Sequence, residues 1–132
     1  MAGQLGDYGE VIALNSVFRD GTLYIGLSTS IVGDEDTTDD INEVTDSSYS
    51  RKEISFDVPF QEDGKGTILN DISANFGPWD SNQVDPVTHA FITNSLTGTG
   101  DIVAYTELSS SKTPEADEII ILRDEDLKIQ MN

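Results

Sequence analysis

The chain has 132 residues, a length typical of one domain built around a single core. It contains no cysteine, which excludes disulfide bonds and thiolate metal sites as sources of stability. The 25 acidic residues against seven Lys and Arg give a formal charge of −18, and such a surface repels the phosphates of nucleic acids. The sequence therefore predicts no nucleic-acid binding. High solubility, a salty environment or attraction to a basic partner surface would each account for the acidity.

Two further features bear on where the protein works. No stretch approaches the roughly 20 apolar residues that a membrane helix needs. Residues 1–7 lack the basic region and the apolar run of a signal peptide. We therefore expect a soluble protein that has no membrane partner and stays in the compartment where it is made.

The first segment of the chain, residues 1–20, is predicted to contain one short helix. Apolar residues recur near the helical period at Tyr8, Val11, Ile12 and Phe18. Asp7 is the candidate N-cap, with Glu10 in the capping-box position three residues later. Asp20 and Gly21 then end the helix.

The remaining segments favour strands, and in most of them the apolar residues alternate. Strands are predicted at residues 23–27, 54–60, 67–76, 87–94, 101–108, 118–122 and 127–131. The clearest alternation places Ile54, Phe56, Val58 and Phe60 on one face. The segment 118–122 is apolar on both faces, which indicates a centrally buried strand.

The turns between these strands indicate how they are connected. A glycine-rich turn at 95–100 joins two strands into a predicted hairpin, and residues 61–66 (QEDGKG) form another turn. The predicted fold is mainly β: a short N-terminal helix followed by an antiparallel β-sandwich or small barrel of six to seven strands. It is assigned to one sandwich-like domain over residues 1–132.

A long polar stretch over residues 29–50 is predicted to be an exposed acidic loop. Its Asp34, Asp36 and Asp40 occupy alternate positions, as the ligands of calcium loops do. However, Asp39 stands where such a loop needs glycine, and Thr45 stands where it needs a bidentate glutamate. We expect a solvated loop or a partner-contact arm, and whether residues 34–46 bind a cation stays open. Arg51 is expected to pair with this loop as an exposed ion pair.

The sequence contains no recognisable catalytic constellation, so we expect no catalytic, cofactor-binding or metal-binding residues and no enzymatic activity. His89, the single histidine, lies within a predicted strand and is expected to be a packed or surface strand residue and not a general base. Trp79, the single tryptophan, is expected to plug one end of the core instead of stacking on a sugar. A small hydrolase with a carboxylate pair remains an alternative, with Asp80, Asp85 and Asp101 as its candidate residues.

Several short motifs follow one another along the chain. An acidic loop leads through Tyr-x-Arg into an alternating strand at residues 43–56 (EVTDSSYSRKEISF), after an earlier strand at 23–28 (LYIGLS). A tryptophan and then Val-Thr-His lie within residues 72–91, and a glycine turn with Ala-Tyr-x-x-Leu follows at 98–108 (GTGDIVAYTEL). This order resembles a family of small virion proteins of tailed bacteriophages and covers nearly the whole chain.

The resemblance implies a structural protein of the virion that is made in the host cytoplasm. Members are labelled tail-fibre proteins, and some resemble capsid cement (decoration) proteins. Together with the small size, it favours a cement protein that binds the outer surface of the major capsid protein shell and stabilises it. The alternatives are binding to tail proteins as a fibre or tail-tip adhesion module, or carbohydrate binding. A homo-oligomer is implied, with a trimer as the candidate state.

Overall fold

The computed structural model describes residues 1–131, which form one helix and nine strands. The elements in chain order are α1 (Asp7–Arg19), β1 (Leu23–Ser28), β2 (Lys52–Ile54), β3 (Phe60–Glu62), β4 (Lys65–Leu69), β5 (Ala74–Phe76), β6 (Val87–Thr93), β7 (Ile102–Lys112), β8 (Ile120–Leu122) and β9 (Lys128–Met131). The described chain is therefore mainly β with an N-terminal helix, as the sequence predicted.

The strands form three sheets in the described residues. Their strand orders are β2-β1-β6-β7, β3-β4-β9 and β5-β8. The pairs β1–β6, β6–β7, β3–β4 and β4–β9 are all antiparallel. None of these sheets closes into a barrel, so the sandwich-like prediction fits better than the barrel. The strand count exceeds the predicted six to seven because two predicted strands are each interrupted.

The chain forms two compact units. The first contains Met1–Thr22, Ile54–Ser73 and residues 122–131, and the second contains Leu23–Glu53 and Ala74–Ile121. The assignment of residues 1–132 to one domain stays a prediction.

The helix of the first unit buries a different face from the one its apolar residues predicted. Leu14 and Phe18 are buried, whereas Tyr8 and Ile12 are 78% and 49% exposed. The N-cap is Gly6, without a side-chain cap, and the helix begins at Asp7. Glu10 does not complete a capping box but is buried, and its Oε1 accepts the backbone N–H of Gly66 (3.2 Å). Because the buried face includes the polar residue Glu10, the apolar residues alone did not indicate which face of the helix is buried.

The prediction of one half-buried strand over residues 54–60, the segment with the clearest alternation, is wrong. Ile54 and Phe56 are each 3% exposed, but Val58 and Phe60 are 59% and 41% exposed. Ile54 ends β2 and Phe60 begins β3, and Pro59 lies between Val58 and Phe60. Because proline has no N–H for a ladder, one continuous strand across this segment is disfavoured.

A tight hairpin joins β3 to β4 in the first unit. Glu62 pairs with Lys65, which leaves a two-residue loop of Asp63 and Gly64 with φ of 53° and 76°. Two positive φ values in succession are typical of the type I′ turn, and Asp-Gly is a preferred sequence for it. The predicted turn at 61–66 is therefore confirmed, though narrower. The predicted strand 67–76 is divided, since β4 ends at Leu69 and β5 begins at Ala74.

The second unit is centred on β1 and β6. Ile25, Leu27, Val87 and Phe91 are fully buried, which agrees with the predicted strands there. The predicted hairpin after β6 is confirmed, with β7 extending to Lys112. The prediction that 118–122 is a centrally buried strand is wrong. Ile119 and Ile121 are 49% and 40% exposed, and β8 belongs to a two-stranded sheet.

The aromatic pair in the core of the first unit gives a test of the packing. The rings of Phe18 and Phe56 lie 5.0 Å apart between centroids, and Phe56 is 3% exposed. We predict that Phe56→Ala lowers the free energy of unfolding by about 3–5 kcal/mol, measured by urea denaturation. The control Val58→Ala, two residues away and exposed, should lower it by less than about 1 kcal/mol. Equal losses in both variants would contradict this packing.

Candidate interaction sites

The acidic loop at residues 29–50 is not a freely solvated segment. Val32, Ile41 and Val44 are buried, and Val32 and Ile41 pack in one apolar cluster with Phe91. Isolated β-bridges join Ser28 to Glu43 and Thr37 to Asp101. The loop therefore has its own apolar anchors, which corrects the prediction that it is simply exposed.

A buried ion pair holds the end of this loop. Arg51 donates from Nε to Glu43 Oε2 (2.9 Å) and from Nη2 to Glu43 Oε1 (2.8 Å), a bidentate arrangement. Arg51 Nη1 donates to the carbonyl of Ser95 (2.8 Å), and the Tyr49 hydroxyl donates to Glu43 Oε2 (2.6 Å). The pairing of Arg51 with the loop is confirmed, but its predicted exposure is wrong, because Arg51 is 7% exposed.

The strands beneath this ion pair are shaped to admit it. The backbone N–H of Leu27 donates to Tyr49 Oη (2.9 Å), and the Tyr49 ring stacks on Phe76 at 5.8 Å. A Cβ at Gly26 would lie 2.7 Å from Tyr49 Oη, so glycine is required for the close approach. Burial, reinforced by the bond to Glu43, raises the pKa of Tyr49 far above its ordinary value. Tyr-x-Arg is thus a structural motif of the second unit.

Asp46 joins two loops of the second unit. Its carboxylate accepts the hydroxyl of Ser48 (2.5 Å) and the backbone N–H groups of Ser48 (3.0 Å), Asp80 (3.0 Å) and Ser81 (3.1 Å). The Ser48 hydroxyl bond and these N–H donors lower the pKa of Asp46 to about 2. The carboxylate therefore fixes the turn that precedes Tyr49.

The aspartates with calcium-like spacing are used by the loop itself. Asp36 accepts the N–H of Gly33 (2.8 Å), Asp40 accepts the N–H of Thr37 (2.8 Å), and Asp34 accepts the hydroxyl of Tyr105. Over residues 1–131, no group of three His, Asp or Glu side chains is placed to hold a metal ion. The described residues of the loop, 34–46, therefore provide no preformed cation site of this kind, and cation binding by them stays an open question.

The structure gives each catalytic candidate of the sequence its own local surroundings. His89 is 8% exposed within β6, and its Nδ1 shares a hydrogen bond with the adjacent Thr88 hydroxyl (2.8 Å). Asp80 accepts a hydrogen bond from the hydroxyl of Ser47, and Asp101 accepts one from Nδ2 of Asn94 (3.4 Å). Asp85 lines a polar cleft together with Gln83. Each of the three aspartates therefore has different neighbours.

Trp79 occupies the interior of the second unit, as predicted. It is 1% exposed, and its indole N–H donates to Gln83 Oε1 (2.9 Å). Its backbone N–H donates to the carbonyl of Glu118 (2.9 Å). A ring buried in this way has no free face for a sugar.

The first unit presents a groove that the sequence pattern did not indicate. Its volume is about 380 Å³, and its lining includes Val58, Phe60, Asp57, Asp71, Asp124 and Glu125. Val58 and Phe60 are the residues that alternation had placed in the core. Pro59 between them is the signal that could have shown that the strand is interrupted before Phe60.

A second exposed apolar surface lies on helix α1. Tyr8 and Ile12 lie four residues apart and therefore share one face, and they are 78% and 49% exposed. Leu5, 54% exposed, lies beside Gly9 in the first turn. We call Leu5, Tyr8 and Ile12 the helix patch. No helix in residues 1–131 is long and apolar enough to cross a membrane.

Comparison with known protein families finds a match over most of the chain. The protein-family model described as Podophage GP4 fiber I protein gp80 matches residues 5–130. The chain belongs to this family. The resemblance to phage virion proteins is thereby confirmed, and the protein is a structural protein of a tailed-phage virion. No curated protein matches the chain significantly.

The buried ion pair of this virion protein gives a second test. We predict that Glu43→Gln lowers the free energy of unfolding by about 3 kcal/mol, the lower end for breaking a buried pair, because Glu43 keeps 22% side-chain exposure. In this variant Arg51 would remain buried, and its charge would no longer be compensated by a carboxylate. Urea denaturation measures the loss.

The matched control breaks an exposed ion pair. Lys128 Nζ lies 3.0 Å from Glu62 Oε2, with 46% and 37% side-chain exposure. Lys128→Gln should therefore change stability by less than about 1 kcal/mol. If Glu43→Gln costs no more than Lys128→Gln, the ion pair does not hold the loop.

Proposed function

We propose that the protein is a non-enzymatic fibre component that docks on other proteins of the phage virion. The family match over residues 5–130 carries this proposal, because the matching family is described as a fibre protein. The surfaces are consistent with it. The acidic loop is fixed by Glu43 and Arg51, and apolar side chains are exposed in the groove and the helix patch.

Capsid cement is the second candidate, favoured by the charge of the chain. A formal charge of −18 suits attachment to a basic surface, such as one on the major capsid protein shell. A fibre component would instead bind tail proteins. Both functions require binding without turnover, and they differ in where the protein lies on the particle.

The experiment uses virions of the encoding phage from which this protein has been deleted. We predict saturable cosedimentation of purified protein with these particles at low salt, weakened at high salt because screening reduces charge attraction. Gold-labelled protein should then mark the tail or neck in electron micrographs. Labelling spread over the shell would favour cement, and absence of saturable binding would contradict both functions.

We further propose that copies of the protein associate through the helix patch. Self-association of a chain with charge −18 is opposed by repulsion, which is weakest where acidic residues are few. Residues 1–18 contain Asp7 and Glu10 as their charged side chains, and Glu10 is buried. The occupant proposed for the helix patch is therefore a second copy, with a trimer as the candidate state.

Sedimentation equilibrium tests this association. The wild-type protein should sediment as an oligomer, and the double variant Tyr8→Ser/Ile12→Ser should sediment as a monomer. Ile31→Ser is the control, because Ile31 is 79% exposed but lies in the second unit. A monomeric wild type, or equal masses for all three proteins, would contradict the proposal.

A further inference from the structure

The groove of the first unit exposes large apolar side chains that do not contribute to the core of the unit. Val58 and Phe60 are exposed in it, although apolar side chains of this size are usually buried when a fold can bury them. Exposed apolar residues that lie together in a concave surface are typical of binding sites. The groove is therefore the strongest candidate for a docking site in the first unit.

The floor of the groove is held in place before any partner binds. Asn70 is fully buried, and its Nδ2 donates to the carbonyls of Ile72 (2.8 Å) and Arg123 (2.8 Å). Its Oδ1 accepts the N–H of Leu127 (2.9 Å), and its carbonyl accepts the N–H of Glu125 (2.8 Å). One buried side chain thus fixes the turn that carries Asp124 and Glu125, and a fixed turn loses little entropy on binding.

Another part of the groove lining is fixed by two backbone hydrogen bonds. Asp57 N–H donates to the carbonyl of Leu69 (2.9 Å), and Asp71 N–H donates to the carbonyl of Ser55 (3.1 Å). Both aspartates therefore belong to a paired backbone and not to a free loop. Glu125, at φ 66°, is held in the left-handed region by its own turn.

The charge of the lining identifies the chemistry of the occupant. The groove is lined by the four acidic residues Asp57, Asp71, Asp124 and Glu125, and no Lys or Arg is among its lining residues. A second copy, itself at −18, would be repelled from this surface, whereas ammonium or guanidinium groups would be attracted. The two exposed apolar side chains require an apolar partner as well.

We propose that this groove docks a lysine- or arginine-bearing segment of another virion protein, with an apolar side chain of that segment seated against Val58 and Phe60. The proposal rests on the virion function proposed above and specifies its surface and the chemistry of its partner. The acidic side chains orient the basic segment, and the apolar contact supplies the larger share of the affinity.

A direct test uses a synthetic peptide that alternates lysine with leucine, titrated into the full-length ¹⁵N-labelled protein. Amide shifts should be confined to the groove, at Asp57, Leu69, Asp71 and Glu125. Oligolysine of equal charge should bind at least about tenfold more weakly, because it lacks the apolar contact. A peptide that alternates glutamate with leucine should not bind.

Two groove variants separate the apolar and the charged contributions. Phe60→Ser should weaken the lysine–leucine peptide about tenfold, against no change for the control Ile31→Ser. Asp124→Asn/Glu125→Gln should weaken it about three- to tenfold, against less than twofold for Glu35→Gln/Glu53→Gln. Both control positions in that pair are exposed acids of the second unit. Melting temperatures check that every variant is folded.

Several results would overturn the proposal. These are shifts centred on the acidic loop, equal binding of oligolysine, or full binding by Phe60→Ser. Shifts at the groove on adding unlabelled protein would identify a second copy as the occupant. Shifts there on adding calcium chloride alone would identify a cation.

The virion assay distinguishes this proposal from the function on which it rests. If the wild type and both groove variants bind the deletion particles equally, the groove proposal fails and the virion function stands. If the wild type does not bind the particles but the peptide maps to the groove, the virion function fails and the groove remains a site for basic, apolar segments. Loss of particle binding in the groove variants alone supports both.

Discussion

The excess of acidic over basic residues is the constraint on which the structure depends most. With 25 acidic residues and seven Lys and Arg, ion pairs cannot compensate the carboxylates. In this fold many carboxylates accept hydrogen bonds from backbone N–H groups. The N–H of Gly33 donates to Asp36, that of Thr37 to Asp40, and that of Arg123 to Asp126. Each bond satisfies a loop donor that would otherwise need water or a strand partner. Acidic residues in this chain are therefore structural parts of its loops as well as its surface charge.

The buried ion pair is the exception, and its position explains why a cation is used there. Glu43 lies where the acidic loop returns to β1, and three donor atoms, from Tyr49 and Arg51, converge on its two oxygens. Arg51 also binds the carbonyl of Ser95 and lies 5.8 Å from the centre of the Phe91 ring. Lysine could not supply the bidentate bond and the third contact together. One guanidinium thus connects the acidic loop, the start of β2 and the end of β6.

Alternation and turn residues predicted the β class, the β6–β7 hairpin and the segment of the helix, because these depend on local preferences. They failed where tertiary contacts decide the outcome. Glu10 is buried because Gly66 offers it a backbone donor, and nothing within residues 7–19 shows this. Val58 and Phe60 continue the alternation of Ile54 and Phe56, but Pro59 lies between them and both are exposed. The groove was invisible in the sequence because its lining combines residues 57–71 with residues 124–125.

The same excess of charge limits how the exposed apolar surfaces can be used. The helix patch lies on a segment with only two acidic side chains, one of them buried, so this segment itself adds little repulsion against a second copy. The groove is lined by acidic residues, where a second copy meets repulsion and a basic segment meets attraction. The two surfaces differ in charge, so we expect them to bind different partners. Each exposes an aromatic side chain, so we expect the two binding affinities to be similar. An acidic chain of this kind would thereby exclude its own copies from the groove that we propose for a virion partner.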